Sequence, residues 1–194
     1  MGLTPVPRGE IATIVTALEM TARPALRPLP ASPLRLARWQ MPDPERYRAL
    51  FSRIGAPWLW FSRLILDDAR LTAIIHDRAV ELCAIVDPAG IEVGMVELDF
   101  RKAGACEIAY FGLIPELSGQ GHGRWLMAHT LAQAWRSGVN RVWVHTCTLD
   151  SPGALGFYQR QGFTPYARSV EIFADPRLIG ILPETAAPQI PLLR

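Results

Sequence analysis

Three glycines at alternate positions, Gly119, Gly121 and Gly123, separate an apolar run ending at Pro115 from a segment with helical spacing. Such a turn can do chemistry without a reactive side chain. The first N–H groups of a helix have no internal partner, and the helix dipole places partial positive charge at that end. Glycines let a phosphate approach those groups closely. Ser118, Gln120, His122 and Arg124 lie in the same turn or just beyond it. A phosphate-bearing ligand is therefore the first expectation.

The spacing excludes two common phosphate motifs. A nucleotide P-loop needs Gly, four residues, then Gly-Lys-Ser/Thr, and no lysine lies in this turn. A dinucleotide fingerprint needs Gly-x-Gly-x-x-Gly with an acid about 20 residues on. Here the order is Gly-x-Gly-x-Gly, and Arg141 and Val142 stand where the acid belongs. His122 has no metal-ligand partners at suitable spacing, and no metal is expected.

Two stretches carry a family resemblance. Leu117-Ser118-Gly119-Gln120-Gly121-His122-Gly123 resembles the pyrophosphate-binding turn of the GNAT superfamily of acetyl-CoA-dependent N-acetyltransferases, whose pattern is Arg/Gln-x-x-Gly-x-Gly/Ala. Gly121 and Gly123 match it, and Ser118 replaces the usual Arg or Gln. Ala154, Phe157, Tyr158, Gly162 and Phe163 then match the signature Ala-x-x-Phe-Tyr-x-x-x-Gly-Phe. The resemblance covers approximately residues 33–173.

The resemblance implies acetyl-CoA as cosubstrate and direct transfer of acetyl to a primary amine in a ternary complex. It implies that pantetheine pairs with backbone near Phe111 and Leu113, and that the pyrophosphate rests on Gly119–Arg124. Ser151 sits where the family often has a cofactor-contacting Asn. The Leu113 N–H would polarise the carbonyl, and the Tyr158 hydroxyl would protonate the departing sulfur. Glu107 matches a glutamate used as base in some branches; Glu97, His145 and water stay open as alternatives. The acceptor, a small-molecule or peptide amine, is left undefined. A non-catalytic acyl-CoA-binding module is the rival reading, supported by Ser118 and the unassigned base.

The elements that must position these residues follow from periodicity. Residues 10–20 are rich in β-branched side chains and read as a strand. It can pair within the sheet or across a homodimer. Pro24, Pro28, Pro30 and Pro33 mark a connector. Leu34–Trp39 alternates as a strand, and Pro42-Asp43-Pro44 opens a helix to Ile54. Trp58-Leu-Trp60-Phe61 reads as a core anchor, or, by the resemblance, as an acceptor-pocket wall. Asp67–Asp77 is a second helix. Val80–Val86, Ile91–Arg101 and Cys106–Ile114 form an antiparallel meander, with a turn at Asp87–Gly90. Leu126, Met127, Leu131, Ala134 and Trp135 share one helical face, stopped by Gly138. Arg141–Thr148 is a strand. Asp150-Ser151-Pro152 reads as a helix start with a capping side chain, the helix covering Gly153–Gln161, and a strand covers Phe163–Phe173. The proline-bearing tail from 174 should lie extended along the body.

This order suggests an α/β (α+β) fold, a mixed sheet with helices on both faces. The resemblance implies a mostly antiparallel sheet whose two central parallel strands splay apart. At 194 residues, one domain with a full-sized core is expected. A net charge of only +2 argues against a broad nucleic-acid or membrane field. Cys83, Cys106 and Cys147 form no ligand spacing and no position that suggests an acyl-enzyme, so a reducing cytoplasmic setting is expected. Ile11–Leu18, between Glu10 and Glu19, is too short and polar for a signal peptide, and no run reaches the length of a membrane span.

Overall fold

The computed structural model describes residues 2–25 and 30–194. Seven strands form one sheet: β1 Glu10–Met20, β2 Arg35–Trp39, β3 Val80–Val86, β4 Glu92–Asp99, β5 Ala105–Leu113, β6 Arg141–Cys147 and β7 Thr164–Ala174. Their order is β2-β3-β4-β5-β6-β1-β7. Among the described residues only β5 and β6 run parallel. The helices are α1 Pro44–Gly55, α2 Asp68–Ile75, α3 His122–Ala134 and α4 Ala154–Arg160. This is the mixed, mostly antiparallel architecture with two central parallel strands that the sequence led us to expect.

Strand alternation sorts the helices onto the two faces. Glu97 pairs with Leu82 and faces α1, where the Tyr47 hydroxyl donates to it at 2.6 Å. Cys83 points the other way, its thiol 3.7 Å from Gln133 on α3. Tyr47, Phe51 and Ile54 of α1, and Leu126, Met127 and Ala134 of α3, are fully buried. These apolar stripes fix the helices on the sheet.

β1 has a definite place. It fills the slot between β6 and β7, antiparallel to both, with Thr16 opposite Thr146 on one side and Arg168 on the other. Both of its edges are thus taken inside the sheet, which removes the cross-dimer pairing. The connector after it includes Pro28, which lies outside the described residues.

Two expectations need correction. Asp150 does not cap α4, whose N-cap is Gly153 with no side-chain bond. Nor does the tail simply run extended. It winds around Arg177, whose side chain is buried with Asp175. The guanidinium donates to Asp175 Oδ2 at 2.7 Å and to the carbonyls of Ile190 and Ala186 at 2.9 and 3.2 Å. Prolines forbid a regular element here, so the stranded carbonyls take an arginine as partner. Leu182, Ala186 and Ala187 then pack with Ile11 and Leu59 in a second apolar cluster. Among the described residues no helix is long and apolar enough to cross a membrane.

Candidate active site

The parallel seam is short. β5 pairs with β6 only from Ala105 to Glu107, opposite Arg141 to Trp143. At Ala109 the β5 register against β4 slips by one residue, a bulge that increases local twist. Beyond it the two strands diverge. A cavity of about 660 Å³ opens in the gap, walled by Ile108–Leu113 on one side and Val144, His145 and Cys147 on the other. The Ile114 N–H bonds to Val93 on β4. An antiparallel ladder alternates, so the N–H groups of Phe111 and Leu113 point to the opposite edge, where β6 has left.

The glycine turn closes one end of this cavity. Leu117, Ser118, Gly119, Gly121, Gly123 and Arg124 line it. Gly119 and Gly121 have φ of +76° and +85°, a left-handed backbone that disfavours any side chain. Gly121 caps α3 with no side-chain bond; the Arg124 N–H turns back to the Gly121 carbonyl at 3.2 Å, and the His122 and Gly123 amides are left bare. A Cβ at Gly119 would meet nothing within 4 Å, so the concavity has room. Bare amides, open space and Arg124 suit a diphosphate. Ser151 and Arg160 line the same end. The side chains of Gln120 and His122 turn elsewhere. Gln120 Nε2 donates to the Glu116 carbonyl at 2.8 Å, and His122 Nδ1 lies 3.0 Å from Ser32 Oγ. Only their backbone is available to a ligand.

Tyr158 occupies the middle. It projects from α4 into the cavity wall, its ring 6.3 Å from Phe111 and 5.5 Å from Phe157. Its hydroxyl has no hydrogen-bond partner among the described residues, yet it is not a sealed, unsatisfied atom. Burial, reinforced by the Asp150 carboxylate, pushes the phenol pKa well up, so the group stays protonated at neutral pH.

The other end gathers the base candidates. His145 lines the cavity, and its Nδ1 lies 3.5 Å from Glu107 Oε1. Glu107 stands behind the imidazole rather than in the wall. That carboxylate, outweighing partial burial, raises the His145 pKa above its ordinary value. Glu97 is wholly buried and held by Tyr47 and by Arg63, whose guanidinium donates to it at 2.6 Å. It does not reach the cavity. Cys147 does line the cavity, against expectation. Burial and the nearby Asp150 raise its thiol pKa, which makes it a poor nucleophile.

Trp58, Leu59, Trp60, Phe61 and Ser62 form the roof, so the aromatic cluster serves as pocket wall and packing anchor together. A Cβ at Gly112 would fall 2.7 Å from Ile54 and 3.2 Å from Trp60, so glycine there lets the roof approach β5. Asp150 ties roof to floor, accepting from Trp60 Nε1 at 3.2 Å, Thr146 Oγ1 at 2.7 Å and the Cys147 N–H at 3.0 Å. Sequence reasoning missed Asp150 in this role, as well as Arg160, Glu171 and Phe173 in the wall. Position alone assigns the last two, since only the placement of β7 beside β1 brings them to the cavity.

Comparison with known proteins bears on the fold and the family. The model of the acetyltransferase (GNAT) family matches residues 35–163. No match was found among curated proteins. Among solved structures, a GCN5-related N-acetyltransferase from Kribbella flavida superposes with a TM-score of 0.53 at 20% identity, covering 89% of this chain and 63% of that one. An aminoglycoside acetyltransferase from an uncultured soil metagenomic sample, in complex with sisomicin, gives 0.54 at 17% identity, covering 67% and 88%. A mutant spermidine N-acetyltransferase from Vibrio cholerae gives 0.54 at 17% identity, covering 77% and 98%. The chain thus spans less than two thirds of the Kribbella protein and nearly all of the Vibrio one. A family model matching about two thirds of the sequence, on a fold with this splayed central seam, places the chain in the GNAT acetyltransferase family.

Proposed function

We propose that this protein transfers acetyl from acetyl-CoA directly to a primary amine, the two substrates meeting between β5 and β6. One observation carries the reading. The unpaired β5 edge, with the Phe111 and Leu113 N–H groups aimed into the cavity, lies between a bare helix start and the free Tyr158 hydroxyl. Acetyl-CoA would supply the activated thioester.

Each residue then has a task. The α3 amides, with Arg124 and Arg160, hold the diphosphate. The Phe111 and Leu113 N–H groups fix the extended arm, and Leu113 polarises the acyl oxygen. His145, oriented by Glu107, takes the proton that an amine carries at neutral pH, since only the neutral nitrogen attacks. Tyr158 donates its proton to the departing sulfur. The roof excludes water from the centre. Three free cysteines fit a reducing, cytoplasmic setting.

The second reading, a non-catalytic acyl-CoA-binding module, is favoured by Ser118, a short side chain where the family has a phosphate-reaching one. Free-thiol release with acetyl-CoA and a panel of primary amines separates the two. Amine-dependent thiol release is expected. Tight coenzyme A binding with no release across the panel would favour the module.

A further inference from the structure

Glu171 lines the same cavity, and none of the steps above uses it. Its position follows from β1. Because β1 fills the slot beside β6, β7 stands two strands away from β6, roughly 10 Å across the sheet. Thr13 and Val15 of β1 form the floor between His145 and Cys147 on β6 and Glu171 and Phe173 on β7. The Phe61 ring stands 4.8 Å from Phe173 above this floor, and Leu59 and Leu149 extend the apolar wall.

The charges along the cavity are divided. Arg124 and Arg160 belong to the end where α3 and α4 begin and finish. Two carboxylates line the remainder. Asp150 is committed to Trp60, Thr146 and the Cys147 amide. Glu171 has no ion-pair partner among the described residues and is exposed. Arg63, next to Ser62 in the roof, is already paired with Glu97.

We propose that Glu171 and the apolar wall around Phe61 and Phe173 form a subsite for a second cationic group, so that the acceptor is an elongated amine with two basic ends joined by an apolar segment. This rests on the acetyl-transfer reading, which places the reacting nitrogen beside His145. Glu171, two strands over, adds only a minor share to the raised His145 pKa, behind the direct Glu107 contact, so it is not the partner of that nitrogen. It is suited to the other end of the same molecule, with the aromatic rings covering what lies between. A sugar-like acceptor fits less well, because Leu59, Phe61, Leu149 and Phe173 offer its hydroxyls no hydrogen-bond partners.

Calorimetric binding to the full chain in the presence of coenzyme A, which carries no acyl group to transfer, tests this directly. Octane-α,ω-diamine should bind roughly fivefold more tightly than octylamine, the scale of one exposed ion pair. In Glu171→Gln the two should bind alike, with the urea midpoint unchanged at this exposed position. Equal affinities in the parent chain, or a preference that survives in Glu171→Gln, would overturn the subsite, as would tighter binding of glucosamine than of the diamine. Thiol release is read separately with acetyl-CoA. A diamine preference without release keeps the subsite and defeats the transfer reading. Release with equal KM for both amines keeps transfer and defeats the subsite.

Discussion

Glu107 Oε1 lies 3.5 Å from His145 Nδ1, across the parallel seam between β5 and β6. Ordinary strand pairing stops at Glu107 and Trp143, two residues before His145. The sheet thus opens where a carboxylate-backed imidazole can face a ligand.

The pH dependence follows from this contact. The folded-state His145 pKa is raised, so the stability that the ion pair adds is present below the ordinary histidine value and is lost as pH rises through the raised one. Base activity runs the opposite way. In a profile of kcat/KM, the rate should rise with pH through an inflection above about 6.5. Glu107→Gln should move that inflection downward, and His145→Ala should cost roughly 100-fold or more. An unchanged profile in both variants would assign proton removal to solvent.

Tyr158→Phe removes one oxygen and leaves the ring packed against Phe163 at 5.9 Å. We expect kcat to fall roughly 100-fold while coenzyme A affinity and the urea midpoint hold steady. Loss of binding and turnover together would make Tyr158 a packing residue.

Cys147 provides a kinetic test of direct transfer. With its thiol held protonated, no acyl-enzyme should form. Initial-rate plots should give intersecting lines, where a ping-pong enzyme gives parallel ones. Cys147→Ser should preserve that intersecting pattern.

The tail is a stability element. Arg177→Ala leaves Asp175 buried without its partner, and Asp175 is itself only 2% exposed. Removing one member of such a pair costs about 3–5 kcal/mol, read from urea unfolding. The same change strips the backing from Leu59, Leu149 and Phe173, so KM for the acceptor should rise as well.

Most of the strands and helices were legible because their side chains alternate or recur with a helical period, as in Val142, Val144 and Thr146 or Leu126 and Leu131. The glycine turn and the Phe157-Tyr158 stretch were legible because backbone demands there permit few residues. What stayed hidden depends on long-range placement. No local pattern says that residues 10–20 insert between β6 and β7, or that this brings Glu171 into the wall. Local pattern also favoured Asp150 as a helix cap, whereas the tryptophan and threonine partners that claim it come from 90 residues away and four residues back. Glu107 was legible as a base candidate, but its place behind His145 was not.

The central claim is that bare amides at the start of α3 hold the diphosphate of coenzyme A. Titrating coenzyme A against thermal unfolding tests it most directly. At 100 times its dissociation constant the ligand should stabilise the fold by about 2.7 kcal/mol. Gly121→Ala, strained at φ +85°, should shift the titration to higher ligand concentration. A melting temperature that does not move with coenzyme A at any concentration would contradict the account.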